Sequence, residues 1–190
     1  MDGISFQSRI RLVTPHDINV GSSRFTRSKV VDYPWTIKQS VVKNEAITRD
    51  VIDCSVLGIT DGKAVFLNHI CPTMEENLDF RKINNFIKSK LKGMDIPNLQ
   101  GFLLGSVGDM DYQSRLLFEN FRKLMNELKI PTSVFRHGLS KIDVSYSSKT
   151  DEWQISNAMV SQLRPKFSPL TGAEYIFEEV IISPKDEISW

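Results

Sequence analysis

Two side chains of this 190-residue sequence have types and spacing suited to joint chemistry: Cys54 and His69. They flank Thr60-Asp61-Gly62, and Asp-Gly between alternating apolar runs is a strong hairpin signal. If Asp61 and Gly62 are the two central residues of the turn, Thr60 faces Lys63. Leu57 then faces Phe66, Val56 faces Leu67, and Cys54 faces His69. Directly opposed residues share a face, with Cβ atoms roughly 4.5–5.5 Å apart. A thiol can reach an imidazole across that gap. A free thiol ionises near about pH 8.5, and a neighbouring imidazolium supplies thiolate at neutral pH. The same imidazolium can protonate a departing amine and then return as base for water. A third group that accepts the other ring N–H would orient the imidazole. The competing reading is structural: a strand cysteine is most often a small buried hydrophobe, and a strand-end histidine a solvated or carbonyl-bonded side chain.

Other reactive residues make weaker constellations. Cys71 and His137 could join Cys54 in a metal site, but the spacing fits no standard zinc pattern. His137 could instead serve Cys54 in a peptidase-like pair with Asp143 behind it. Nucleophiles of that kind usually start a helix, whereas Cys54 reads as strand. Gly105-Ser106-Val107-Gly108-Asp109 has the place of a phosphate loop but lacks its lysine and full glycine pattern. Lys88-Ser89-Lys90-Leu91-Lys92 suits the end of a helix, where cations meet the dipole. His16 falls in a polar loop.

The elements that must carry these residues follow from pattern. Strands are expected over Ile4–Val13, Val51–Ile59 and Lys63–Ile70, with an interrupted one within Val30–Val42. A helix follows, with Thr73 as N-cap, Glu76 at capping-box spacing, and a stripe of Phe80, Ile83, Ile87 and Leu91 stopping at Gly93. Leu99–Val107 reads as a buried strand. Tyr112–Lys129 reads as a second helix, with Leu117, Phe121, Leu124 and Leu128 on one face. Thr132–His137 is a strand after Pro131. Ile142–Ser147 and Trp153–Ser156 form a second hairpin, and Glu174–Ile182 a last strand. The fold class is α+β: a β-sandwich or mixed-sheet core with two main helices packed against it.

Length and composition suggest one domain over residues 1–190 with a sizeable core. Thr14–Lys29, with Pro15 and Gly21, reads as a mobile loop. A net charge of +1 gives no electrostatic case for nucleic acid or an anionic membrane. No apolar run is long enough to span a bilayer. Met1–Phe6 lacks a basic segment followed by an apolar stretch, so a cleaved signal is not expected. Two cysteines do not make a disulfide framework, which suits a reducing compartment. The expected location is cytoplasmic, or a host cell reached by export without a cleaved signal.

The segment from Thr48 to the helix after His69 resembles the cysteine deamidase fold. That group includes the catalytic domain of cytotoxic necrotizing factor, the Burkholderia lethal factor and the chemoreceptor glutamine deamidase of bacterial chemotaxis. In those proteins a cysteine on one strand is followed at similar spacing by a histidine on the next, then by a helix. Several also carry a threonine six residues before the cysteine, the place of Thr48 in Thr48-Arg49-Asp50-Val51-Ile52-Asp53-Cys54. Relatives often have glycine or serine before the cysteine; here it is Asp53, which on a strand would face away from Cys54.

The resemblance implies hydrolysis of a glutamine side-chain amide on a partner protein, with Cys54 as nucleophile, His69 as acid and base, and Thr48 orienting His69. It implies no cofactor and no metal, a toxin or effector role, and in some relatives transfer to amines. Specificity would come from loops such as Thr14–Lys29, Asp109–Gln113 and Ser161–Thr171. The alternatives are a non-catalytic protein-binding module, or a cysteine peptidase using His137. A thiol sealed under the helices would fit binding; a thiol on the floor of an open cleft beside His69 would fit catalysis.

Overall fold

Apolar side chains on both faces of the central strands demand cover on both sides, and the molecule supplies it as three layers. The computed structural model describes residues 8–13, 29–30, 42–43, 45–52, 54–70, 79–106, 112–137, 142–156, 163–168, 172–177 and 187–188. In chain order the first strands are β1 (Arg9–Val13), β2 (Lys29–Val30), β3 (Val42–Lys43), β4 (Glu45–Val51), β5 (Ser55–Thr60) and β6 (Ala64–Ile70). Helix α1 (Phe80–Leu91), β7 (Gln100–Ser106), helix α2 (Tyr112–Glu127) and β8 (Thr132–His137) follow. The remaining strands are β9 (Ile142–Ser147), β10 (Glu152–Ser156), β11 (Leu163–Ser168), β12 (Gly172–Phe177) and β13 (Glu187–Ile188).

These strands make two mixed sheets. The first runs β13-β1-β10-β9-β4-β2 and the second β11-β12-β8-β7-β5-β6-β3. Between the sheets lies one apolar layer, in which Ile10, Tyr146 and Trp153 of the first sheet meet Val56, Phe102 and Phe135 of the second. The opposite face of the second sheet packs Leu57, Ile59, Phe66 and Leu103 against Ile83 and Ile87 of α1 and Leu117, Phe121 and Leu124 of α2. The fold is therefore the expected α+β arrangement, a β-sandwich with both helices on one side. Gly58 sits at the centre of the sandwich: a Cβ there would overlap the Trp153 ring, which in turn stacks on Phe102 with centroids 4.7 Å apart.

Several boundaries differ from the sequence expectation for local reasons. The helix with the Phe80–Leu91 stripe is capped by Asp79, whose carboxylate accepts the Lys82 N–H at 3.0 Å, and not by Thr73. Thr73 and Glu76 lie outside the described residues. The expected Val51–Ile59 strand is two strands: Val51 ends β4 in the first sheet, and β5 begins at Ser55 in the second. Leu163–Ser168 is strand β11, where a loop was expected; Pro165 is tolerated because β11 is at the sheet edge. Residues 14–28, the bulk of the expected mobile loop with His16 in it, lie outside the described residues. Helix α2 ends in a Schellman motif: Lys129 (φ 55°) turns left-handed, and the Ile130 N–H reaches the Met125 carbonyl at 3.0 Å.

Two crossings between the sheets set up the site. Only residue 44 separates β3, paired to β6, from β4, paired to β9, so the chain passes directly from one sheet to the other. It returns through residues 52–54. Both crossings bring β4 close against β6.

Candidate functional site

The hairpin exists, but its turn is not the one expected. Thr60 pairs with Val65, and His69 pairs with Val56 rather than with Cys54. Gly62 (φ 82°) and Lys63 are the central residues, with glycine at the first position as a type II′ turn requires. Asp61 stands before the turn and holds it: its Oδ1 accepts the Lys63 N–H at 2.9 Å and the Ala64 N–H at 2.7 Å. Its Oδ2 accepts the Asp95 N–H at 2.9 Å. An aspartate that bonds the backbone two residues on belongs ahead of the turn, which is why the Asp-Gly pair does not occupy its centre.

The register therefore slips by two residues, and a two-residue slip preserves the face. Cys54 immediately precedes β5 and joins Val56 and Leu67 in the layer between the sheets. His69, opposite Val56, is on that same side of the second sheet. Cys54 and His69 are thus diagonal neighbours rather than directly opposed. Diagonal pairs stand roughly 7–8 Å apart at the backbone, within reach of an imidazole.

Thr48 comes from the other sheet. On β4 it is fully buried, and its Oγ1 lies 2.7 Å from His69 Nδ1. The two residues are 21 apart in sequence and belong to different sheets. Thr48 reaches inward by plain alternation with Ala46, opposite the inward-facing Val144 of β9. The β4–β9 ladder becomes irregular just beyond it. Thr48 pairs with Val144 and Val51 with Ile142, so one extra residue lies between them on β4. That bulge lets Val51, three residues after Thr48, face the inner side as well. A hydroxyl that accepts the Nδ1 proton leaves Nε2 as the nitrogen that exchanges protons; one that donates reverses the assignment.

All three side chains are deeply placed. Cys54 retains 6% of its surface, His69 1% and Thr48 none. The thiol is not under the helices: it lies at the end of the sandwich, between the sheets, where the chain crosses back. Neither extreme of the burial criterion describes it. A small hollow lined by Ser8, Ile10, Gln100, Phe102 and Trp153 has room for about one water and lies toward the opposite end.

The remaining candidates separate. His137 ends β8 and is fully buried. Asp143 does not stand behind it: its neighbours Ile142 and Val144 point into the sandwich, and Asp143 Oδ2 lies 3.7 Å from Arg49 Nη1. The Cys54–His137–Asp143 arrangement is not assembled. Cys71, Asp53 and residues 107–109 of the glycine-containing loop lie outside the described residues. Among the described residues no group of three or more His, Cys, Asp or Glu could hold a metal. Lys88 and Lys90 lie in the last turn of α1, beside Glu127 at 4.0 Å and over the Phe86 ring at 5.2 Å respectively. Among the described residues no helix is long and apolar enough to cross a membrane. No family model matches the sequence, and no curated protein matches it.

Proposed function

We propose that the protein is a cysteine-dependent protein-glutamine deamidase of the toxin or effector kind, with Cys54, His69 and Thr48 as its working residues. The supporting observation is the 2.7 Å contact from Thr48 Oγ1 to His69 Nδ1. The resemblance assigned that partnership to those two residues, and no periodicity would place them together. In this reading Thr48 fixes the imidazole with Nε2 toward the thiol side. His69 takes the Cys54 proton, and the thiolate attacks the amide carbon of a glutamine side chain. The imidazolium returns its proton to nitrogen as ammonia leaves, and His69 then activates water to release glutamate. The chemistry needs no metal or cofactor. The substrate is a glutamine presented by a partner protein.

The 6% exposure of Cys54 favours a second reading, a non-catalytic binding module in which these residues are packing. One experiment separates the two: Cys54 alkylation by iodoacetamide across pH, in wild type and in His69→Ala, with circular dichroism to verify folding. Deamidase chemistry predicts a rate that titrates well below the free-thiol value of about 8.5 and falls about a hundredfold at neutral pH without His69. An inert thiol, or one indifferent to His69, leaves the binding module as the account.

A further inference from the structure

A net charge of +1 conceals how unevenly charge is spread over the molecule. From Phe80 to Lys92 the chain carries Arg81, Lys82, Lys88, Lys90 and Lys92 and no carboxylate. From Tyr112 to Lys129 it carries Arg115, Arg122, Lys123 and Lys129 against Glu119 and Glu127. The two helices thus hold nine cations and two carboxylates, a net +7, and the rest of the chain holds a net −6. Seven of the nine cations are exposed; Lys90 and Arg122 are partly buried over the Phe86 and Phe118 rings. Asp79 and Asp95, at the two ends of α1, are turned to the Lys82 N–H and the Asn98 amide.

The helices gather these charges on one side of the molecule. Asn84 and Asn120 exchange amide hydrogen bonds of 3.2 and 2.8 Å, and Lys88 reaches Glu127 at 4.0 Å further along both helices. The two helices therefore run side by side in the same direction. Spacing puts Arg81 and Lys92 in line with Lys88, and Lys123 in line with Asn120 and Glu127. Four cations follow the seam between the helices, with Glu127 among them.

Helix stability does not account for this pattern. Arg81 and Lys82 stand in the first turn of α1, beside the positive end of its dipole, and neither helix has an acidic residue in its first turn. Arg81, Lys82, Lys92, Lys123 and Lys129 have no ion-pair partner among the described residues. The chemistry of the face narrows its partner. Both helices lie lengthwise on the second sheet, so no recognition helix stands free to enter a DNA groove. Tyr112 is the one exposed aromatic among the described residues, which leaves no stacking row for single-stranded nucleic acid. Lysines outnumber arginines six to three, and mobile point charges suit a diffuse anionic surface better than one fixed phosphate or carboxylate. Ile96 (65% exposed) follows the end of α1, and Tyr112 (63% exposed) opens α2 at the opposite end of the layer. Apolar tips at the rim of a basic face match an interfacial surface.

We propose that the outer side of α1 and α2 docks on an anionic lipid bilayer: the lysines and arginines meet the headgroups, and Ile96 and Tyr112 enter the interface. The proposal is independent of the chemistry at Cys54.

The test is sedimentation of the full chain with vesicles of phosphatidylcholine alone and of phosphatidylcholine mixed with phosphatidylserine. The chain should sediment with the mixed vesicles only, and its partition should fall at least about tenfold as salt rises from about 0.1 M to about 0.5 M. Replacing Lys82, Lys92 and Lys123 together by glutamine should weaken binding about a hundredfold, at about fivefold per cation. The same loss of charge away from the helices, in Arg9→Gln, Lys63→Gln and Lys149→Gln together, should leave binding unchanged. Equal partition into both kinds of vesicle, partition into neither, or equal losses in the two triple variants overturns the proposal. Binding of duplex DNA by a chain that ignores phosphatidylserine vesicles overturns it in favour of nucleic acid. The vesicle and salt comparisons use the wild-type chain, so they decide even where a variant does not fold.

Discussion

The two ends of the sandwich bury polar groups to opposite purposes. At the hairpin end, polar side chains answer turns. Asp61 binds three backbone N–H groups, Thr60 Oγ1 donates to the Ala64 carbonyl at 2.9 Å, and Asp151 accepts both the Tyr146 hydroxyl and the Ser8 hydroxyl at 2.8 Å. All three residues with positive φ among those described, Gly62, Lys129 and Asp151, lie at this end. At the other end, Thr48, Cys54, His69 and His137 are buried among apolar side chains. The contact there joins side chain to side chain across two sheets. Polar groups that serve the backbone are explained by the fold. Thr48 and His69 instead meet each other inside an apolar layer.

Electrostatics follow the same division. Burial raises the pKa of Asp61, but the backbone bonds from Asp95, Ala64 and Lys63 outweigh it and hold the carboxyl below the usual carboxylate range. Burial pushes the Tyr146 hydroxyl well above its ordinary value; a hydrogen bond with Thr60 pulls it back in part, and the bond and charge of Asp151 push it up further. Tyr146 therefore stays a neutral donor to Asp151 through the physiological range.

Substitutions can break this contrast. The largest effect is expected at Gly58, which serves both ends: Gly58→Ala must displace the Trp153 ring and should cost about 2–3 kcal/mol in urea unfolding. At the chemical end, Thr48→Val keeps the shape and removes the hydroxyl. Cys54 alkylation should slow about tenfold, which is about 1.4 kcal/mol. Lost stability with an unchanged alkylation rate would instead make the Thr48–His69 contact a packing device like those at the far end.

At the hairpin end, Asp61→Ala should cost about 1 kcal/mol at pH 7 with no effect on Cys54 alkylation. Its pH dependence has a defined sign. A depressed folded-state pKa stabilises fully above the unfolded value of about 3.9, and the contribution is lost as pH falls through the folded value. The gap between wild type and Asp61→Ala should therefore close in acid, as read by urea titrations at both pH values. The smallest effect is at Lys129, where glycine removes the left-handed strain. Lys129→Gly should raise stability by about 0.5 kcal/mol, measured as a higher melting temperature.

Local signals made much of the scaffold legible. The stripe of Ile83, Ile87 and Leu91 and the α2 face follow from periodicity, because each helix buries one continuous side; β8 was legible as a short run after Pro131 that buries Val134 on one face and Phe135 on the other. The hairpin was legible, but its register was not. Asp61 and Gly62 both favour turns, and only the three N–H bonds to the Asp61 carboxylate decide which position each takes. The common face of Cys54 and His69 survived the error because the slip was even. The passage of Val51 and Cys54 into different sheets, and the bulge after Thr48, depend on partners far away in sequence and leave no local pattern. His137 was legible as a strand end, but its pairing with Ser106 needed the parallel β7–β8 register.

The parallel pairing of β1 with β10 has a consequence for how the molecule is made. Arg9 pairs with Glu152 and Val13 with Ser156, and Ser8 bonds Asp151 across 143 residues of chain. Ribosomes add about 5–20 residues per second, so β1 waits on the order of ten seconds for its neighbour to emerge. Until then the apolar side of Ile10 has no sheet to join. Chaperone occupancy of a nascent chain should therefore persist until the β9–β10 hairpin has cleared the exit tunnel and then drop in a single step.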